Sequence, residues 1–293
     1  MRRGLLLVSA LLLLFSAAPA QAEDVKNKGL FVTPVREFIK TEPGAPAQKS
    51  VTIANNTDHA TVVTMNVEQF KVTDFTYDYK FETIKEDWVK LSQTQVNLEP
   101  GESQKITYTV SPPADATPGG HYFTVFATAT VQDGAVKSQV RAATTIYVTI
   151  SGQLSLSSAV QNISIPQFAF GGDITFAMDV KNTGNTHFFV YVAGELKGLT
   201  AQGKGPEVTH LLLPDATRTV GSTIGAPLLP GLYSATYGYK TESGEVVERT
   251  SRVIYVPIWS WLIIGGLIWL VVVVIKYVRR RQILKGFGPR PYK

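Results

Sequence analysis

Residues 117–130 read TPGGHYFTVFATAT, and residues 229–241 read LPGLYSATYGYKT. Both run Pro-Gly, then a Tyr, then alternating small and aromatic residues, the pattern of a turn that feeds a β-strand. Other landmarks repeat around them in the same order. NNTDHATVV (55–63) is answered by KNTGNTHFFV (181–190), LEPGESQKI (98–106) by LLPDATRTV (212–220), QDGAV (132–136) by ESGEV (242–246), and TTIYVTI (144–150) by SRVIYVPI (251–258). Five matched landmarks in one order indicate a tandem duplication.

The repeated unit is built of strands. KSVTIA, ATVVTMNV, QKITYTV, HYFTVFATATV and TTIYVTI alternate or nearly so and are rich in Val, Ile, Thr, Tyr and Phe. Turn-forming stretches separate them at intervals of about ten residues, the spacing of an antiparallel sandwich. The fold predicted is all-β: two tandem immunoglobulin-like β-sandwich domains, at 23–150 and 151–256, followed by one transmembrane α-helix. The junction TISGQL is short, so the domains should abut. Tyr122 and Tyr233 are expected to be buried, each fixing the start of a late strand.

The chain ends place it in an envelope. A basic start, the apolar run Leu5 to Phe15 and the small-x-small site Ala20-Gln21-Ala22 predict a signal peptide at 1–22. IWSWLIIGGLIWLVVVVI (258–275) is long enough to cross a bilayer, and a helix at 257–278 is predicted. Trp259 and Trp261 flank one end as interfacial aromatics. Lys276, Arg279, Arg280 and Arg281 crowd the other and open a basic cytoplasmic tail at 279–293, which puts the bulk of the chain outside the cell membrane. Two of the 28 Lys and Arg lie in the signal and seven from Lys276 onward, leaving 19 against all 23 Asp and Glu for residues 23–256. That span carries −4, so the basic pI reflects membrane topology and no nucleic-acid partner is expected. With no Cys, core burial alone must hold the outer domains.

Catalytic chemistry has no footing. His59, His121, His187 and His210 show no ligand spacing, and three of them fall in turns or at strand starts. No Gly-x-Ser-x-Gly elbow and no phosphate loop occurs. Asp173 and Asp179 bracket a strand, too far apart for paired-carboxylate work. The expectation is a non-enzyme without metal or cofactor. One feature stands out. The first copy carries about a dozen residues more than the second, around 70–88, and Phe75, Tyr77, Tyr79 and Phe81 fall two apart there. On a strand they share one face. That face either covers the sandwich core or stacks on a ligand such as a glycan or peptide, which makes these four the candidate binding residues.

GLFVTPVREFI (29–39), KSVTIANNTDHATVVTMNV (49–67) and LEPGESQKITYTVSPPADATPGGHYFTVFA (98–127) resemble the N-terminal domain of WxL-interacting bacterial surface proteins. Signal peptide, two immunoglobulin-like domains, one C-terminal membrane helix and a short basic tail match that family over nearly the whole chain. The motif likeness is good in the first domain and vague in the second. The resemblance implies a membrane-anchored surface scaffold that contacts peptidoglycan or other surface proteins. The first domain also resembles, more faintly, a periplasmic pilus chaperone domain. Such chaperones are soluble, and the basic anchors they need for a subunit carboxylate find no match here. A membrane-tethered assembly chaperone is the alternative expectation.

Overall fold

The computed structural model describes residues 29–133, 136–199 and 202–286. The expected signal peptide, part of the QDGA turn and the end of the basic tail (287–293) lie outside these residues. In the first sandwich, β1 (Leu30–Thr33), β3 (Ala47–Asn55), β8 (Ser103–Val110) and β6 (Val89–Leu91) form one sheet in that order. The facing sheet runs β2 (Arg36–Thr41), β10 (Val136–Ile150), β9 (Gly119–Asp133), β4 (Thr61–Val72), β5 (Tyr79–Thr83), with β7 (Gln95–Leu98) also on β4. In the second sandwich, β11 (Ser158–Ser164), β13 (Ile174–Asn182) and β17 (Thr217–Ile224) face β12 (Phe168–Phe170), β19 (Val246–Val256), β18 (Gly231–Thr241), β14 (Phe188–Lys197) and β15 (Gln202–Lys204), with β16 (Val208–Leu212) also on β14. The chain is thus all-β, with two immunoglobulin-like sandwiches and one C-terminal apolar helix, α1 (Ile258–Gly286).

Strand alternation sorts the side chains. In β13, Ile174, Phe176, Met178 and Val180 point inward and are buried, while residues between them face out or sit at the margin. Val51, Ile53, Leu98, Ile106, Phe123, Val125, Ile146 and Val148 do the same for the first core. Both sandwiches depart from antiparallel pairing at one place each: β2 runs parallel to β10, and β12 parallel to β19.

A buried asparagine shows how deep the duplication goes. Asn55 and Asn182 are fully buried. The Asn55 amide donates to the carbonyls of His59 and Leu98, both at 2.9 Å, and its Oδ1 accepts from the Thr57 N–H at 3.0 Å. The Asn182 amide donates to the carbonyls of Thr186 at 2.9 Å and Leu212 at 3.1 Å, and its Oδ1 accepts from the Gly184 N–H at 2.8 Å. The backbone repeats the likeness: Gly101 N–H reaches the Asn55 carbonyl at 2.7 Å, and Asp215 N–H the Asn182 carbonyl at 3.0 Å. Gly101 and Asp215 hold the same left-handed turn position, at φ 78° and 60°. Each asparagine ties its own hairpin to the turn after Leu98 or Leu212.

Removing either side chain strands several buried backbone groups, each costing about 1–3 kcal/mol. Asn55→Ala and Asn182→Ala should each lower stability by about 2–4 kcal/mol, read from urea titration of the full chain in detergent by circular dichroism. A loss under about 0.5 kcal/mol would show that water replaces the amide.

Candidate functional site

The aromatic row does not form one face. Phe75 and Tyr77 have positive φ, 64° and 61°, a costly conformation for bulky residues, and only Tyr79 and Phe81 lie on a strand, β5. Residues 73–78 instead close a tight loop: Thr73 N–H donates to the Asp78 carbonyl at 2.9 Å, and Thr76 N–H to the Asp74 carbonyl at 2.8 Å. A two-residue spacing predicts a shared face only where the backbone is extended, and here it is not.

The loop grips the second sandwich. Phe75 N–H donates to the Thr217 carbonyl, and Thr217 N–H donates to Asp74 Oδ1, both at 2.7 Å. Tyr77 Oη accepts from the Leu213 N–H, and the Arg218 guanidinium lies 4.4 Å from the centre of the Tyr77 ring. Tyr77 is thus neither core of its own sandwich nor an open stacking surface. Phe70, Tyr147, Leu211 and Leu213 form a small buried cluster between the sandwiches, flanked by Val72, Tyr77, Tyr122 and Phe189. Rings continue it: Phe38 stacks on Tyr147 at 5.0 Å and meets His187 and Phe189 at 5.5 and 5.6 Å. Tyr79 and Phe81 flank it on the first sandwich, stacked on each other at 6.1 Å and 40% exposed.

Tyr122 belongs to this seam and not to the first core. Tyr233 is buried in its sandwich, with its hydroxyl donating to the Leu229 carbonyl at 2.7 Å. Tyr122 is half-buried, its hydroxyl 3.4 Å from His187 Nδ1. The reason is one residue. Pro118 precedes Tyr122 by four positions, whereas Pro230 precedes Tyr233 by three. Strand side chains alternate, so the extra residue turns Tyr122 to the opposite face. The doubled glycine has a use as well: Gly120 N–H donates to the Asn185 carbonyl at 2.8 Å, and a Cβ on Gly119 would stand 2.5 Å from that same oxygen.

Burial holds the tyrosines of the seam and His187 in their neutral forms. It pushes the Tyr77 hydroxyl up to about 12 and the Tyr122 and Tyr147 hydroxyls well above their ordinary range. It pulls His187 down to about 4.

A second feature is an open strand edge. β10 pairs along its whole length with β9, but β2 covers its other side only at Thr145–Ile150. Residues 136–143 pair with no strand on that side among the described residues, roughly 26 Å of strand, while Thr144 is buried and its Oγ1 donates to the Pro34 carbonyl at 2.7 Å. Thr145 N–H donates to the Val35 carbonyl and Ser151 N–H to the Thr41 carbonyl, so alternate residues, Arg141 and Ala143 included, turn their peptide groups to the vacant side. Val140 and Ala142 pack half-buried against the first core beside this edge. β4 reaches only Phe123–Ala129 of β9, so the β9–β10 hairpin also projects beyond its sheet. Composition gave no sign of this edge; only the pairing reveals it.

The remaining sequence candidates fall into structural positions. Among the described residues no group of three or more His, Cys, Asp or Glu could hold a metal. Asp173 caps the Ala226 N–H, and Asp179 binds Thr219 Oγ1. His59 is exposed, His121 sits 3.2 Å from Glu86 beside Trp88, and His187 and His210 lie at strands of the second sandwich. These last three are half-buried and not exposed loop residues. Trp259, Trp261, Lys276, Arg279, Arg280 and Arg281 all lie on α1, whose stretch Ile258–Arg281 is long and apolar enough to cross a membrane.

No family model matches the chain, and no curated protein does. Solved structures resemble its architecture distantly. A chaperone–tip adhesin complex of CFA/I fimbriae is 14% identical, covering 78% of this chain and 99% of that one, at a TM-score of 0.45. The class 5 fimbriae chaperone CfaA is 12% identical, covering 78% and 100%, at 0.40. The CsuC–CsuE pre-assembly complex of Acinetobacter baumannii is 12% identical, covering 78% and 99%, at 0.41.

Two outcomes follow from the seam. Tyr77→Ala removes the ring under Arg218 and the acceptor for Leu213, and should cost about 2–4 kcal/mol. Calorimetry should then show one transition for the native chain and two for the variant; two in both would mean the seam carries no coupling. His187 has a folded-state pKa below its unfolded value, so the unfolded chain takes up its proton first. The stability tied to neutral His187 is therefore complete above about pH 6.5 and lost as pH falls toward 4, by roughly 3 kcal/mol at most. His187→Gln should flatten the melting temperature profile over that window; an unchanged slope would place the titration elsewhere.

Proposed function

We propose that the chain is a membrane-anchored binding protein of the bacterial envelope that holds another exported protein by accepting one of its extended segments as an added strand along β10. The unpaired edge at 136–143 carries this reading. Alternate peptide groups there have no strand partner, and a strand laid beside them gains a ladder of backbone hydrogen bonds. Val140 and Ala142 offer such a guest an apolar margin into which alternate side chains can pack. An edge of this kind reads strand shape first and sequence second, which suits a partner recognised as it emerges or assembles.

Two partner classes fit. One is a stable complex at the surface, as the resemblance to WxL-interacting proteins implies, with a peptidoglycan contact of the kind that family has. The other is transient holding of assembling subunits by a tethered chaperone, and the vacant edge favours it, because a permanent complex needs no edge left free between clients. The distantly similar fimbrial chaperone–adhesin complexes are named for a contact of that general kind. The basic tail and apolar helix support an anchor with the sandwiches outside, and nothing in the arrangement calls for catalysis.

A photo-crosslinking residue in place of Gln139, beside the edge, should trap an exported protein in living cells. Ala143→Pro removes one outward N–H and leaves the β9 pairing on the other side untouched, so the adduct should drop at least tenfold while the melting temperature moves by only a few degrees. An adduct unaffected by Ala143→Pro, or none at all from Gln139, would refute strand addition. Adducts that vanish within minutes of halting synthesis indicate a chaperone, and persistent ones a surface complex.

A further inference from the structure

We infer that the helix-proximal end of the second sandwich is itself a membrane-binding foot, seated in the headgroup–acyl boundary of the outer leaflet. This rests on the reading of α1 as a membrane span. Phe168, Ile254 and Leu232 are register neighbours across β12, β19 and β18, and all three point outward. With Phe170, Leu228 and Leu229 they leave six large apolar side chains exposed at one end of one sandwich: Phe170 is 63% exposed, Leu228 77% and Leu232 57%. Single exposed apolar residues are ordinary on a soluble surface, but a cluster of this size marks a site of contact.

The attachment of the helix determines what that contact is. Only Pro257 separates the end of β19 from the start of α1. Trp259 Nε1–H donates to the Leu228 carbonyl at 3.1 Å, tying the loop before β18 to the first turn of the helix. On the other side, a Cβ on Gly171 would stand 2.4 Å from the Ile258 side chain, so the turn after β12 rests on the helix start. The foot therefore cannot stand away from the bilayer: whatever depth Trp259 takes, Leu228 shares. An indole flanking a membrane span settles at headgroup level, and the apolar cluster beside it settles there too. Arg252 completes the surface. It lies two residues from Ile254 on the same outward face, with no ion-pair partner among the described residues, where a lipid phosphate would meet it. The occupant is accordingly the lipid interface, and the foot converts a flexible tether into a fixed stance.

The chain has no native Cys, so single labels are clean. Phe170→Cys, Leu228→Cys and Leu232→Cys would be made in the full chain, together with Leu267→Cys inside the helix and Leu199→Cys as an exposed control. Each is spin-labelled and reconstituted in phosphatidylcholine–phosphatidylglycerol vesicles. Accessibility to oxygen against a water-soluble nickel chelate reports depth. The expected result is a deep label at 267, interfacial labels at 170, 228 and 232 with nickel access at least fivefold below that of 199, and an aqueous label at 199. A deep label at 267 with foot labels as aqueous as 199 would overturn the foot and leave the span standing. Foot labels shielded from both reagents would mean a protein covers the patch, which also overturns it. An aqueous label at 267 would remove the span and the foot together.

Discussion

The loop at residues 73–78 bends two aromatic residues into a backbone conformation that each alone would avoid, at a cost on the order of 1–3 kcal/mol per residue. It persists because the second sandwich holds it: two backbone-directed bonds at Thr217, a hydroxyl at Leu213 and a guanidinium over a ring. The two sandwiches are coupled through this contact, the aromatic rings behind it and the hydrogen bond from Gly120 to Asn185. The second sandwich is joined to its helix by one residue, and the seam joins the first sandwich to the second. In the function proposed above, that continuity would hold the unpaired edge of β10 at a set attitude to the membrane, so that a partner strand meets it without first losing orientational freedom.

Duplication and divergence work together in this design. The buried asparagine, its turn and the parallel second strand, β2 or β12, are the same in both copies, because each sandwich has the same ends to close. The copies differ where they meet. The extra residues of the first copy become the clamp, and one inserted residue before Tyr122 turns a core tyrosine position into a seam position. The second copy places Leu232 near the matching turn, and that side chain faces out beside the helix. Repeats of one unit have thus been specialised at the seam between them and at the helix-proximal end by small changes in length and phase.

Much of this was legible in the sequence. Period-two alternation in segments such as ITFAMDVKN follows directly from which side chains are buried, and the repeated landmarks fall on matching hydrogen bonds at Asn55 and Asn182. The apolar helix was legible from length and flanking charge. The aromatic row was not, because spacing carries meaning only on an extended backbone and no local signal announces positive φ at Phe75 and Tyr77. His187 could not be assigned from the sequence for a related reason: its burial is made by residues from the other copy. The open edge of β10 was hidden most completely, since a strand looks the same in sequence whether one side is paired or both.

Double electron–electron resonance between labels at Lys90→Cys and Glu248→Cys, one on each sandwich, tests most directly whether the seam makes the two a single body. One narrow distance is expected in the native chain, broadening markedly when Tyr77→Ala is added. A broad distribution in the native chain, unchanged by Tyr77→Ala, would contradict it.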